Sequence, residues 1–469
     1  MAQNIPWITR RFSLDLTLPK GGQKLQLYWL IGASLLSLVS YHVLLYQTDR
    51  QDFLPVLLLF MVLSSVYLLV IQLESEPMLL WALGAAVLLR LSLLLAVPEL
   101  SDDFYRFIWD GRLLSQGISP FIETPSRLME DPEFSKLLIN QQLYQGMNSR
   151  DYFTIYPPIA QWIFVIAAKL FPESIIGNLV VMRLFIMLAE LGSIMLIMRI
   201  LKEYRLSPHK VLIYAWNPLV IIELTGNLHF EAIMIFFLLL AIYFFQISKW
   251  RWSALAFAAS VAAKLIPLIF LPLLIFRMPW KKVAGYWALC VLMVIGFFLT
   301  VWSPELTKSM TSSLSLYFQK FEFNASIYYL VREIGFAVKG FNIIQEAGKY
   351  LALTTLLFIL GFSWYSPGSM PWPKAMLWAL MVYLLMSTTV HPWYITPLVA
   401  LAVFTDYRFP IAWSMLVMVS YAGYSVNGYT ENIYLVIAEY SLLTLTLIWD
   451  LVSERNQLNK NGNNLVSTG

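Results

Sequence analysis

The sequence predicts an all-α polytopic membrane protein, and three observations carry that reading. Of 469 residues, 59% are hydrophobic and only 13% charged, against roughly 45–50% apolar and about 25% charged in soluble domains. The apolar residues gather in runs such as Phe53 to Leu73 and Val283 to Trp302, close to the roughly 20 residues a helix needs to cross about 30 Å of hydrocarbon. Those runs show no period-2 alternation, which excludes an outer-membrane barrel, and no long polar domain stands beside them, which excludes a single-span receptor. Soluble enzyme classes are excluded with them.

Taken in order, Arg10, Arg11, Lys20 and Lys24 precede the first apolar run, and no small-residue cleavage site follows it. Residues 1–26 are therefore expected to be a cytoplasmic segment leading into a retained helix. Spans near 27–46, 53–73 and 78–97 bring the chain outside at Pro98. Residues 98–154 form the longest polar stretch, an extracytoplasmic loop with short amphipathic pieces, such as Phe104 to Leu114, that suit a membrane surface. A transmembrane core over 155–302, an external segment over 303–340, C-terminal transmembrane helices over 341–453 and a cytoplasmic tail over 454–469, expected to be disordered, complete the organisation. The expected total is about 12 transmembrane helices, with no convincing internal repeat.

Basic clusters at Lys202/Arg205/His209/Lys210, Lys249/Arg251, Arg277/Lys281/Lys282 and Arg455/Lys460 mark the cytoplasmic side. On the opposite side fall Gly226 to Glu231, Lys264, Ser303 to Gly340, His391 to Tyr394 and Asn427 to Asn432. If 155–171 and 176–200 both spanned fully, the Lys202 cluster would lie outside. One of the two is thus expected to be short or re-entrant. A net charge of +4, dispersed among loops, reads as a topology signal and excludes nucleic acid as a partner. The single cysteine, Cys290, sits in an apolar run, so no internal disulfide or cysteine metal cluster can form.

The most informative segment is Ser101-Asp102-Asp103-Phe104-Tyr105-Arg106-Phe107-Ile108-Trp109-Asp110-Gly111-Arg112, followed by Gly117-Ile118-Ser119-Pro120-Phe121. Two adjacent carboxylates at a bilayer boundary are costly unless they bind a cation, pair with a basic side chain or move a proton. An N-cap for the helix that follows is the alternative. Lys264 interrupts an apolar stretch and precedes Pro267, which can break the helix and bring the ammonium to the external face. Asp110 lies four residues after Arg106 and is placed to pair with it. Arg90, a few residues below the external boundary, can pair with an acidic loop residue or snorkel, and is left unassigned.

The pattern Ser-Asp-Asp-x-Tyr-Arg-x-x-Trp-Asp-Gly-Arg resembles the first external loop of integral-membrane GT-C glycosyltransferases, in particular bacterial mannosyltransferase-like proteins and the eukaryotic mannosyltransferase of glycolipid-anchor synthesis. The resemblance continues through Tyr156-Pro157-Pro158 with Gln161, Trp216-Asn217-Pro218, Gly226-Asn227-Leu228-His229-Phe230-Glu231, Ala263-Lys264-Leu265-Ile266-Pro267 and His391-Pro392-Trp393-Tyr394. It implies a GT-C-like helical bundle whose external loop carries interfacial helices. It further implies transfer of a hexose, mannose favoured, with inversion from a polyprenyl-phosphate sugar to an extracytoplasmic glycan or glycolipid hydroxyl, at a bacterial plasma membrane.

In that family the first-loop aspartate is implied to be the general base. Asp103 is favoured here, with Asp102 as the other candidate or as a group that binds a metal or orients substrate. Substrate binding is assigned to Tyr105, Arg106, His229, Glu231, His391 and Arg332, and to Lys264 facing the donor phosphate. A divalent cation is one option for the cofactor, with no ligand set identified. The competing reading, a flippase or transporter of polyprenyl-linked sugar or lipid, is disfavoured because the ionisable residues cluster on one face and no repeated halves are seen.

Overall fold

The computed structural model describes residues 22–132, 134, 141–365, 368, 370–426 and 428–466. Arg10, Arg11 and Lys20, on which the orientation of the N-terminus was argued, lie outside them. The described chain is a helical bundle with one two-residue hairpin. It opens with α1 (Gln23–Tyr46), α2 (Phe53–Val70) and α3 (Glu76–Leu91), followed by the loop helices α4 (Asp103–Ser115), α5 (Pro125–Glu130) and α6 (Gln141–Gly146). Next come α7 (Pro158–Leu170), α8 (Ile175–Glu203), α9 (Leu212–Ala215), α10 (Pro218–Val220), α11 (Glu231–Gln246), α12 (Trp250–Ala263) and α13 (Trp280–Leu299). The chain continues through α14 (Leu306–Gln319), α15 (Ile327–Lys339), α16 (Ile344–Tyr365), α17 (Trp372–Met386), α18 (Thr396–Ala402) and α19 (Phe409–Leu416). It ends with the antiparallel strands β1 (Tyr424–Ser425) and β2 (Gly428–Tyr429) and with α20 (Ile433–Val466). The tail expected to be disordered therefore continues the last helix, through Glu454, Arg455, Gln457 and Lys460, residues that favour helix.

Six helices among the described residues are long and apolar enough to cross a membrane, and a seventh results if the bent pair Pro218–Gly226 and Glu231–Gln246 counts as one span. The expected total of about 12 is not reached by this measure. Prolines explain part of the shortfall: Pro218, Pro267, Pro272, Pro392, Pro397 and Pro410 cut apolar runs into pieces shorter than a full crossing. Large apolar side chains such as Leu80, Trp81, Leu292, Leu356 and Leu445 stay exposed on the outer helices, as a lipid-facing surface requires. Inside, α12 buries Ala254, Ala258, Val261 and Ala262 completely, and small side chains of this kind let helix backbones approach closely.

The bundle has two distinguishable ends. At one, Lys210 reaches the Thr405 carbonyl and Asp406, Arg277 reaches the Met370 carbonyl, and Lys374 pairs with Glu454. At the other, Asp102, His229, Lys264, His391 and the hairpin meet. Helix α7 runs along α4 rather than away from it. Gly111 permits this, because a Cβ there would stand 2.4 Å from the Phe164 carbonyl oxygen. Arg112 donates to the Glu173 carbonyl at the far end of the pair. Both ends of α7 thus stay near the loop, and α8 alone carries the chain to Lys202. Helix α14 of the second external segment is fastened to the first loop, with Ser309 and Ser313 donating to the carbonyls of Phe121 (2.6 Å) and Phe153 (2.9 Å).

Candidate active site

Asp102 occupies the position before α4, yet its side chain makes no capping bond. It pairs with Arg50, in the turn between α1 and α2, at 2.6 Å, and Arg50 also lies over the Tyr424 ring of the hairpin, 4.8 Å from its centroid. Burial raises the Asp102 pKa; Arg50 opposes the shift, while the charges of Asp103 and Asp49 add to it. Asp103 opens α4 and has no basic partner of that kind. Its Oδ2 accepts from the Tyr156 hydroxyl at 3.2 Å and stands 4.0 Å from His229 Nε2. Tyr156 is aimed by the Pro157-Pro158 lead-in, where Pro158 starts α7.

His229 sits in the break between α10 and α11. Residues 221–226 form a π-helical turn, and Leu228 takes φ +62°, a left-handed conformation rare for a bulky side chain. The break is braced from below: Arg183 of α8 donates to the carbonyls of Leu94, Thr225 and Gly226 at 2.8, 2.8 and 3.0 Å. These are carbonyls that interrupted helices leave without an internal donor. The His229 ring stacks on Trp393 at 3.8 Å between centroids, and Trp393 stacks on His391 at 4.4 Å. Burial, with His229 and Lys264 nearby, pushes the His391 pKa down to about 3, so this ring is neutral.

Lys264 lies where α12 ends, in extended backbone before Pro267. Its ammonium pairs with Glu231 Oε1 and rests over the Tyr394 ring, 4.9 Å from the centroid. Glu231 is in the first turn of α11, where a carboxylate is favoured by the helix dipole, and its Oε2 has no hydrogen-bond partner among the described residues. Asp103, His229, Trp393, His391, Tyr394, Lys264 and Glu231 are thereby linked through consecutive contacts, although they come from four separated stretches of chain.

The remaining candidates stand apart from this chain of contacts. Arg106 is turned into the protein, where it donates to Asp110 at 2.8 Å and to the carbonyls of Ser149 and Tyr152. Asp110 also accepts from Thr154 and Gln161, so the group fastens the loop to α4 and α7. Tyr105 packs against Phe104 and under Gly146, with its pKa raised by burial and by the charges of Asp102 and Glu99. Arg332 pairs with Glu322 at 2.8 Å and Glu333 at 3.1 Å, over the Tyr329 ring. Among the described residues no group of three or more His, Cys, Asp or Glu side chains is placed to hold a metal ion.

Over residues 43–281 the chain matches the MptA_B family, described as "Alpha-(1->6)-mannopyranosyltransferase, N-terminal domain", of GT-C type. The chain belongs to this family. The matched stretch holds Asp102, Asp103, His229, Glu231 and Lys264, while His391 and Arg332 lie beyond it. No curated protein and no solved structure matches the chain. Membership in the MptA_B family makes the protein a membrane-embedded mannosyltransferase, with a sugar donor and a glycan acceptor as its partners.

Sequence reasoning missed two charged groups of the site. Arg50 stands in the short polar turn between α1 and α2, on the side expected to be external, where the positive-inside rule disfavours arginine, and that is its signal in the sequence. Glu223 lies inside the apolar stretch 211–224, where an ionisable residue points to function by default.

Proposed function

We propose that the protein transfers mannose from a polyprenyl-phosphate donor to the 6-hydroxyl of an extracytoplasmic glycan or glycolipid, with inversion. An α product made in one inverting displacement requires a β-linked donor. Asp103 removes the proton of the attacking hydroxyl, because its carboxylate, about as exposed as that of Asp102, is not neutralised by an arginine as Asp102 is. Lys264 faces the departing phosphate, where negative charge develops. Held by Glu231 through one oxygen, the ammonium keeps further hydrogens for a phosphate, since a lysine carries three donors.

The observation that carries this reading is the convergence of Asp103 and Lys264 on one end of the bundle through the ring stack of His229, Trp393 and Tyr394. Arg50 fixes Asp102 as an orienting group. The basic residues at the other end support a cytoplasmic N-terminus in a bacterial plasma membrane and a site on the external face. With the bent pair counted once, the shorter apolar segments at 372–386, 392–402 and 409–423 would bring seven passes to ten, closer to the expected 12.

The test is transfer by purified protein in lipid nanodiscs from a panel of polyprenyl-phosphate sugars to an acceptor-lipid extract, read by mass spectrometry. A hexose gain from the mannosyl donor alone is expected. Movement of labelled carrier across the bilayer with no donor consumed would overturn the transferase in favour of a flippase.

A further inference from the structure

Glu223 is wholly buried in the π-helical turn, where Tyr421 Oη at 2.8 Å and Asn227 Nδ2 at 3.1 Å donate to its carboxylate and His229 Nδ1 lies 3.1 Å from it. An ionised carboxylate only accepts, so the charged form serves both donors. The backbone carbonyl of the same residue stands 2.9 Å from His229 Nδ1. A carbonyl cannot donate, so Nδ1 carries a hydrogen, and in the neutral ring Nε2 then carries the lone pair. That lone pair faces Ser101 Oγ at 3.4 Å and, at 4.0 Å, the Oδ2 of Asp103. The left-handed Leu228 turns the chain directly before this ring.

From this geometry we infer that Glu223 and His229 form a proton-accepting pair behind Asp103, with Glu223 as a positioning residue and His229 as the second proton acceptor. The inference rests on the transferase reading of the same site. In the first step the acceptor O–H bond breaks, its oxygen bonds to the anomeric carbon, and the proton goes to Asp103 while the phosphate leaves with the electron pair of its bond to carbon. In the second, the new O–H bond on Asp103 breaks and an N–H bond forms at His229 Nε2, directly or through one water. The imidazolium is then held by the Glu223 carboxylate, and Asp103 is a carboxylate again. The charged and titratable groups around the ring are Asp103, Glu223, His391 beyond Trp393, Lys264 and, behind Glu223, Tyr421.

The experiment measures kcat and donor KM against pH, in nanodiscs, for wild type, Glu223→Gln, His229→Gln and the double variant. Each single change should lower kcat by about ten- to a hundredfold, the range for losing a partner that orients a histidine. Donor KM should stay unchanged, the double should be no worse than the worse single, and Glu223→Gln should move the acidic limb of the kcat profile to lower pH. Unchanged kcat in Glu223→Gln, or losses that multiply in the double, would overturn the pair. Where Glu223→Gln does not yield folded protein, His229→Gln decides, and a wild-type pH profile in that variant overturns it. If Asp103→Asn is inactive while Glu223→Gln turns over normally, only the pair fails; if wild type consumes no donor, the transferase reading fails.

Discussion

Two ion pairs lie beneath and beside the same helix break, and they are built differently. Arg90 and Glu190, both wholly buried between α3 and α8, have both glutamate oxygens hydrogen-bonded; Arg90 Nη2, 2.9 Å from Glu190 Oε1, makes no hydrogen bond among the described residues but faces only its own partner. Arg90 donates to Glu190 at 2.9 Å and to the carbonyls of Ala86 and Ala215, while Thr225 donates to the other Glu190 oxygen. Lys264 and Glu231 leave one glutamate oxygen without a partner and about a fifth of the lysine side chain exposed. A buried pair with both carboxylate oxygens filled locks helices together, whereas a half-satisfied pair at a break keeps capacity for something that arrives from outside. Ionisable groups inside a membrane protein are therefore best sorted by what remains unused on them, and Arg90, for which a loop partner or snorkelling was considered, belongs to the structural class.

The largest effect that would break this comparison is in the buried layer. Glu190→Leu strands the Arg90 charge and should cost about 3–5 kcal/mol of stability, while the joint Arg90→Met and Glu190→Leu replacement should recover most of it. Thermal unfolding in nanodiscs reads both, and a wild-type midpoint in the single variant would contradict the account. Next in size, Lys264→Ala should weaken donor binding by about tenfold to a hundredfold, the worth of a hydrogen bond to a charged group, with the fold retained. Titration with a polyprenyl phosphate measures it, and unchanged affinity would remove the phosphate role.

A smaller, graded effect concerns His391, whose pKa in the folded protein, about 3, lies below the ordinary histidine value. The folded state then binds fewer protons than the unfolded one between those values. Its contribution to stability is full above about pH 6.5 and is lost as pH falls toward 3, by at most about 1.4 kcal/mol per unit. His391→Gln should flatten that slope in unfolding midpoints taken at several pH values. Least of all for turnover, Arg332→Ala should leave transfer intact, since its charge is spent on the half-buried Glu322 and on Glu333, while stability should fall by about 1 kcal/mol.

Much of the bundle was legible from apolar run lengths alone: α1 and α2 fall where the runs lie, and the break at Gly226 to Glu231 appears as a bend of 116° between two apolar arms. The path of α7 was not, because a 13-residue apolar helix reads the same whether it enters the bilayer or lies along a neighbour; only the close fit of Gly111 against Phe164 decides. Site residues with unusual chemistry for their surroundings, Asp102, Asp103, His229 and Lys264, stood out in the sequence. Their partners did not. Arg50 meets Asp102 across 52 positions, and Tyr421 meets Glu223 across 198, separations at which no periodicity links two residues.

The central claim is that Asp103, and not its neighbour, takes the proton of the acceptor hydroxyl. Its most direct test compares wild type, Asp103→Asn and Asp102→Asn in nanodiscs, with mannosyl transfer read by product mass and donor binding read separately. The account predicts that Asp103→Asn binds donor normally yet loses transfer by about a hundredfold or more, while Asp102→Asn retains measurable turnover. Full transfer by Asp103→Asn would contradict it.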